Sequence, residues 1–191
     1  MIHSMKAHTT FSVLLAVALL GAGCASNVQK LPKLAPTPVG LYLLGPGDTL
    51  QVIVFGEPDL SGTLKVTDSG TVVMPLIGTV PAAGFSVQDL QKTLTTLLDA
   101  KAVKSPNVTV QINEYRPFFI LGEVKNPGSY AYVPDMTVLT AVAIAGGYTF
   151  RAAQDSVSVT RRVEGTSREA QAARDSRVLP GDVVYVYERH F

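Results

Sequence analysis

"FFILGEVKNPGSYAYVPDMTVLTAVAIAGGYT", residues 118–149, carries three structural signals in one short stretch. It opens on apolar and aromatic residues, Phe118 to Leu121, which suit a pleated, half-buried surface. Lys125-Asn126-Pro127-Gly128-Ser129 then interrupts the run as a Pro-Gly turn, and Tyr130 and Tyr132 share one face of a returning strand. Met136 to Ala145 follows as a short helix that Gly146 and Gly147 terminate. A hairpin followed directly by a helix points to an α+β sheet with a helix on one face. That helix is apolar nearly all round, which predicts burial in a domain or against a neighbouring subunit.

Downstream, Val157 to Thr160 reads as a strand and "RRVEGTSREAQAARDSR", residues 161–177, as a solvated loop or short helix. Its Arg161, Arg162, Arg168, Arg174 and Arg177 alternate with Glu164, Glu169 and Asp175, so the alternative reading is a basic-leaning segment that attracts an acidic polymer. Then comes "RVLPGDVVYV", residues 177–186, which echoes "LLGPGDTLQV" at residues 43–52. Proline presets φ near −65° and glycine tolerates positive φ, so Pro46-Gly47 and Pro180-Gly181 suit type II turns. Each turn leads into a strand, Thr49 to Phe55 and Val183 to Tyr187. Asp48 and Asp182 are expected to brace their turns by accepting nearby backbone N–H groups.

Between the first echo and residue 118 the pattern is again mixed. Thr63 to Thr67 and Val72 to Met74 read as strands around a turn at Asp68, Ser69 and Gly70. Ser86 caps a helix with Asp89 three residues on, and Val87, Leu90, Leu94, Leu97 and Leu98 fall on one face of it. Val108, Val110 and Ile112 alternate with polar neighbours as the strand leading out. The expected fold class is therefore α+β: a small mixed-sheet domain at 42–115, then a β-grasp-like domain at 116–191.

The amino terminus has a different character. Lys6 precedes an apolar run from Phe11 to Leu20 and small residues that end at the lone cysteine, Cys24. This is the layout of a secretory signal, and the run is shorter than the roughly 20 residues a membrane-spanning helix needs. Leu20-Gly21-Ala22-Gly23-Cys24 resembles a bacterial lipobox, with Gly21 where that pattern prefers leucine. The resemblance implies a signal peptide at 1–23, whether translation begins at Met1 or Met5, cleavage before Cys24, and acylation of its sulfur and new amino group. No Asp follows Cys24, so the outer membrane is the implied destination. Residues 24–41, with Pro32, Pro36 and Pro38, read as an extended tether.

Little here resembles reaction chemistry. Of the histidines, His3 and His8 lie in the signal and His190 at the end of the chain, so no hydrolytic triad or Cys/His zinc cluster assembles. No phosphate-binding loop occurs. Glu57 and Asp59 flank Pro58 and read as solvated loop charges rather than a glycosidase pair. Glu123 reads as a strand-end carboxylate or as an interface or turn-bracing contact. Tyr115, Tyr130, Tyr132, Tyr148, Tyr185 and Tyr187 are candidates for stacking on sugars or for packing in cores and interfaces. The net charge is +1 with no long basic stripe, which argues against nucleic acid. The expectation is a non-enzyme with no cofactor and no metal.

Taken together, Gly-Pro-Gly-Asp at 45–48, Asp-x-x-Gly at 59–62 with a later Pro, Gly-Glu-Val-x-x-Pro-Gly at 122–128, Ala-Gly-Gly at 145–147 and the second Pro-Gly-Asp resemble the outer-membrane polysaccharide export lipoproteins. Residues 42–115 are similar to their polysaccharide biosynthesis/export domain. Residues from 116 are similar to their soluble-ligand-binding β-grasp domain. The resemblance implies a lipid-anchored, homo-oligomeric ring in the periplasm that guides a polysaccharide polymer outward. It implies as partners an inner-membrane polysaccharide co-polymerase, often coupled to a tyrosine kinase. Larger members continue into a C-terminal pore helix, and this sequence stops after its last strand; the expectation is a short form served by a separate outer-membrane β-barrel. The rival reading is a monomeric periplasmic glycan- or ligand-binding lipoprotein.

Overall fold

The computed structural model describes residues 27–36, 42–101, 103–163 and 165–189. Cys24 and the signal region lie outside them. The folded chain gathers around two apolar cores. One draws its buried residues from Leu44 to Val110, the other from Phe118 to Val186.

In the first, β1 (Thr49–Val54) pairs antiparallel with β2 (Gly62–Lys65) on one side and β5 (Val108–Glu114) on the other. Leu50, Val52 and Val54 of β1 are buried and alternate with more exposed residues, as a sheet with one covered face requires. The cover is α1 (Val87–Lys101), which packs on β5 through Leu90, Leu94 and Leu98, each fully buried at a spacing of four. Burial of three leucines supplies on the order of 5–9 kcal/mol, more than any local preference of this helix. The helix starts where Ser86 Oγ accepts the Asp89 N–H at 3.1 Å and donates to the Asp89 carboxylate at 2.7 Å. A separate hairpin, β3 (Thr71–Met74) with β4 (Gly78–Pro81), closes the core through Val72, Met74 and Val80. Strand β4 has no sequence signature, because Val80 is its one buried side chain between a glycine and a proline.

The second unit is a five-stranded sheet: β6 (Phe118–Gly122), β7 (Gly128–Tyr130), β8 (Ala152–Val163), β9 (Thr166–Ala172) and β10 (Val183–Glu188), in the order β7-β6-β10-β8-β9. The last strand, β10, lies at the centre, parallel to β6 and antiparallel to β8. Hairpin, covering helix and a closing strand parallel to the first make the arrangement β-grasp-like. The helix, α2 (Val138–Ile144), is shorter than its apolar run. Thr137 Oγ1 accepts the Thr140 N–H at its start, and Gly146 and Gly147, at φ 85° and 93°, end it. Val138, Ala141 and Val142 are buried, whereas Leu139 and Ile144 remain exposed.

Three features depart from the sequence expectation. The polar segment 161–177 is neither loop nor helix for most of its length. Its first part extends β8, Gly165 turns the chain at φ 78°, and β9 returns along β8 from Thr166 to Ala172. Here strand pairing is set by cross-strand hydrogen bonds at a sheet edge, where both faces tolerate polar side chains and no apolar alternation is needed. The connection between β6 and β7, residues 123–127, includes Lys125-Asn126-Pro127, but the reversal begins at Gly122, φ 83°, whose carbonyl accepts the Val124 N–H at 2.8 Å; Gly128 already belongs to β7, and Tyr132 lies beyond it. Finally, part of the expected tether is docked. A short 3-10 helix at Asn27–Lys30 packs on β8 and β9, and Val28 is fully buried. Lys33 bridges Gln171 in parallel, and the second core covers part of Leu34. The open edge of β9 offers unpaired backbone groups, and this segment satisfies some of them.

Candidate functional site

Tyr115, Arg116 and Pro117 connect β5 to β6 and so join the two cores. Arg116 stands between the two Pro-Gly-Asp turns. In the first, the Asp48 N–H bonds the Gly45 carbonyl at 3.1 Å and Gly47 has φ 96°; in the second, the Asp182 N–H bonds the Leu179 carbonyl at 3.1 Å and Gly181 has φ 84°. Each aspartate is buried, and each carboxylate reaches back to the first N–H of its own turn, Gly45 at 2.8 Å and Leu179 at 2.7 Å. The two turns are thus built alike, down to one arginine per carboxylate.

For Asp182 that arginine is Arg161 of β8. Its Nη2 donates to Oδ2 at 2.7 Å and its Nε to Oδ1 at 3.0 Å, while Nη2 also reaches the Arg177 carbonyl at 2.9 Å. For Asp48 it is Arg116, whose backbone N–H donates to Oδ1 at 2.9 Å and whose Nη1 donates to Oδ2 at 3.0 Å. Tyr42 adds its hydroxyl to Oδ2 at 2.6 Å. Arg116 then turns to the second unit, where its Nε donates to the Pro180 carbonyl at 3.1 Å. A Cβ at Gly181 would stand 2.9 Å from that Nε, and one at Gly47 would stand 3.3 Å from the Arg116 Cβ. Glycine at both turns leaves the room the arginine occupies.

Burial, and after it the bond to Asp48, raises the Tyr42 phenol well above its ordinary pKa, so it remains a donor. Burial also raises the Asp182 carboxyl, and the contacts with Arg161 offset only part of that rise. Every Asp48 oxygen is committed to donors, so the junction holds rather than reacts. An aromatic row runs alongside it: Tyr42 meets Tyr115 edge-on at 5.1 Å, and Tyr115 meets Tyr132 at 5.2 Å.

The other sequence candidates lie apart from this junction. Pro46 is exposed and Pro180 buried, each inside its turn, while Pro127 ends the β6–β7 connection and Gly128 begins β7. Glu123 accepts the Thr149 hydroxyl at 2.5 Å and braces the segment after α2. Tyr130 stacks on Phe118 and donates to the Asn126 carbonyl at 2.6 Å. Tyr148, half-buried, packs on the second core. Tyr185 is 42 % exposed and meets Tyr187 edge-on at 4.8 Å; with Phe119 and Leu121 they form the outward face of β6 and β10. Glu169 sits beside that face, accepting from Ser158 at 2.6 Å and Tyr187 at 3.0 Å. Glu57 precedes and Asp59 lies within a one-turn 3-10 segment, Pro58–Leu60, near the surface. Among the described residues no His, Cys, Asp and Glu side chains cluster in a way that would hold a metal, and no helix is long and apolar enough to cross a membrane.

Arg116 was not among the residues the sequence singled out. Its partners are 68 and 64 positions away, so no local pattern reports it. The available signal was indirect: two repeated aspartates at strand entrances, each needing a cation once buried.

Comparison with known proteins agrees with this architecture. Residues 37–113 match the polysaccharide biosynthesis/export protein family and residues 117–170 match the SLBB domain, so β10, the central strand of the second sheet, lies beyond the matched stretch. The exopolysaccharide production protein ExoF of Rhizobium meliloti (strain 1021) is 32 % identical over 175 residues, 82 % of this chain and 41 % of the relative. The EPS I polysaccharide export outer membrane protein EpsA of Ralstonia solanacearum is 30 % identical over 161 residues, 70 % of this chain and 41 % of the relative. The polysialic acid transport protein KpsD of Escherichia coli is 32 % identical over 108 residues, 56 % of this chain and 19 % of the relative. The chain spans less than half the length of these curated relatives.

Proposed function

This chain belongs to the polysaccharide biosynthesis/export family, a family of transport components rather than enzymes, and on that premise we propose that it is a lipid-anchored periplasmic subunit of an oligomeric outer-membrane export complex. In this reading subunits assemble into a ring, and a capsular or extracellular polysaccharide passes through it on its way out. The polymer would be delivered by an inner-membrane co-polymerase. Acylation at Cys24 would hold each subunit on the outer membrane, the location given in the name of the Ralstonia relative.

The observation that carries the reading is the Arg116 junction, which fixes the export unit to the SLBB unit through both Pro-Gly-Asp turns. A ring wall must keep its two layers in one orientation while a polymer moves past. An arginine that pairs with Asp48 of one turn and donates to the Pro180 carbonyl of the other supports that, since sliding the second unit would break the Pro180 bond. Exposed Phe55, Leu76, Leu139 and Phe150, at 81 %, 72 %, 52 % and 84 %, supply apolar surface that assembly would cover.

The test is the native mass of full-length protein extracted from membranes in mild detergent. A closed oligomer is expected. A monomer at cellular concentration would favour instead a periplasmic glycan-binding lipoprotein that presents the Tyr185 and Tyr187 face to sugar.

A further inference from the structure

Helix α2 and the sheet beneath it form two layers, and the outer surface of each is apolar. Strands β6 and β10 run parallel and are apolar on both faces. Phe118, Ile120, Val184 and Val186 share a core with α2, while Phe119, Leu121 and Tyr185 stand together on the opposite face, 41 %, 44 % and 42 % exposed. Parallel strands with continuous apolar runs are ordinarily covered on both faces. The same outer face turns polar on β8 and β9, where Ser158 and Thr160 pair in register with Gln171 and Glu169, so the apolar patch is confined to β6 and β10. On the helix side Leu139 and Ile144 are 52 % and 39 % exposed, with Thr140 and Ala143 exposed between them, and no charged residue occurs from Met136 to Phe150. Helix α1 is the contrast: Gln88, Asp89, Lys92 and Asp99 face solvent, as the outer side of a surface helix normally does. One helix of this chain is built for water and the other for cover.

From this we propose that α2 of one subunit packs on the β6–β10 face of the next copy, so that the second units join head to tail. The proposal rests on the ring assembly described above. A ring of more than two subunits needs two unlike surfaces on each one. The helix layer and the sheet layer supply them, and because they are opposite layers they point in opposite directions. The fold already makes this contact once, since α2 packs on the inner face of the same sheet through Val138, Ala141 and Val142. A second copy repeats on the outer face what the chain does within itself. Neither centre carries a charge that burial would strip of water, and interface centres are depleted in charge. At about 200 Å² for each whole side chain, Phe119, Leu121, Tyr185, Leu139 and Ile144 together expose roughly 400 Å². That is the apolar centre of an interface which, with its polar rim, needs about 1,200 Å² to be specific and stable. The first unit, joined through Arg116, adds exposed apolar surface at Phe55 and Leu76.

The test uses full-length protein extracted from membranes in mild detergent, with a photo-crosslinking amino acid in place of Thr140 on α2 or, separately, of Tyr185 on β10. Covalent dimers are expected from both. Mass spectrometry of those dimers should place the adducts from position 140 within residues 118–122 or 183–188, and the adducts from position 185 within residues 138–144. Within one subunit the sheet itself separates these positions, so links of this pattern come from a neighbour. Leu139→Glu is expected to raise at least tenfold the concentration at which half the subunits assemble, which is about 1.4 kcal/mol of contact energy. Its circular dichroism and urea midpoint should match the unaltered protein, because Leu139 faces outward. An oligomer whose links join α2 to α2 or sheet face to sheet face, or that forms no links at either position, overturns this inference and leaves the ring reading standing. Folded Leu139→Glu protein that assembles as before does the same. A monomeric native mass removes the ring reading, and this inference with it.

Discussion

Replacing Arg116 with methionine keeps much of the side chain's length and apolar stem and removes the guanidinium. Asp48, fully buried, then keeps the Gly45 N–H, the Tyr42 hydroxyl and the Arg116 backbone N–H, but loses the guanidinium paired with it. Breaking a buried pair from one side costs about 3–5 kcal/mol. The Arg116 side chain is 26 % exposed, so the low end applies, about 3 kcal/mol after screening. For a chain of this size each kcal/mol moves the midpoint by roughly 2–4 °C, so thermal unfolding should fall by about 6–12 °C. Arg116→Lys should recover part of this, because an ammonium can meet Asp48 but cannot also hold the Pro180 carbonyl in the same fork. The assay is urea unfolding of Arg116→Met, Asp48→Asn and the double variant. The junction predicts a coupling of about 1.5 kcal/mol or more, since neutralising Asp48 removes the reason Arg116 matters. A single-variant loss under about 1 kcal/mol, typical of an exposed pair, together with additive effects, would refute the reasoning.

Other consequences follow from packing and titration. Leu94→Ala removes a fully buried side chain from the helix that covers the first sheet and should cost about 2–5 kcal/mol in denaturant unfolding. Gly122→Ala should cost well over 1 kcal/mol, because φ is 83° there and a Cβ would overlap the Val186 carbonyl; far-ultraviolet circular dichroism at intermediate urea should report early loss of the second sheet. Asp182 has its carboxyl pKa raised in the folded protein, so the native state binds the proton more tightly than the unfolded chain. That contribution to stability is full below the ordinary carboxylate value of about 3.9 and is lost as pH rises through the higher folded value. Wild-type stability relative to Asp182→Asn should therefore fall as pH is raised across that window, measured by urea unfolding at each pH.

The fold was legible wherever one local signal governed it. Ser86 with Asp89, followed by leucines at spacings of four, marks α1 because capping and burial both act within a few residues. The β-grasp-like order showed in the hairpin, helix and glycine pair of residues 118–149. What escaped was fixed at a distance. Strand β9 is polar along nearly its whole length, and only pairing with β8 makes it a strand. Residues 27–36 bury Val28 and part of Leu34 in a proline-rich stretch whose composition suggests a solvated linker, and the free edge of β9 decides otherwise. Arg116 sits among residues of no particular pattern; it became visible only when the two turns came together around it.

The central claim is that this protein carries polysaccharide outward. It is tested most directly by deleting its gene, in a strain with no second copy, and measuring polysaccharide at the cell surface. The account predicts that surface polymer is lost while synthesis precursors or polymer remain inside the cell, and that the intact gene restores export. Undiminished surface polysaccharide in the deletion strain would contradict it.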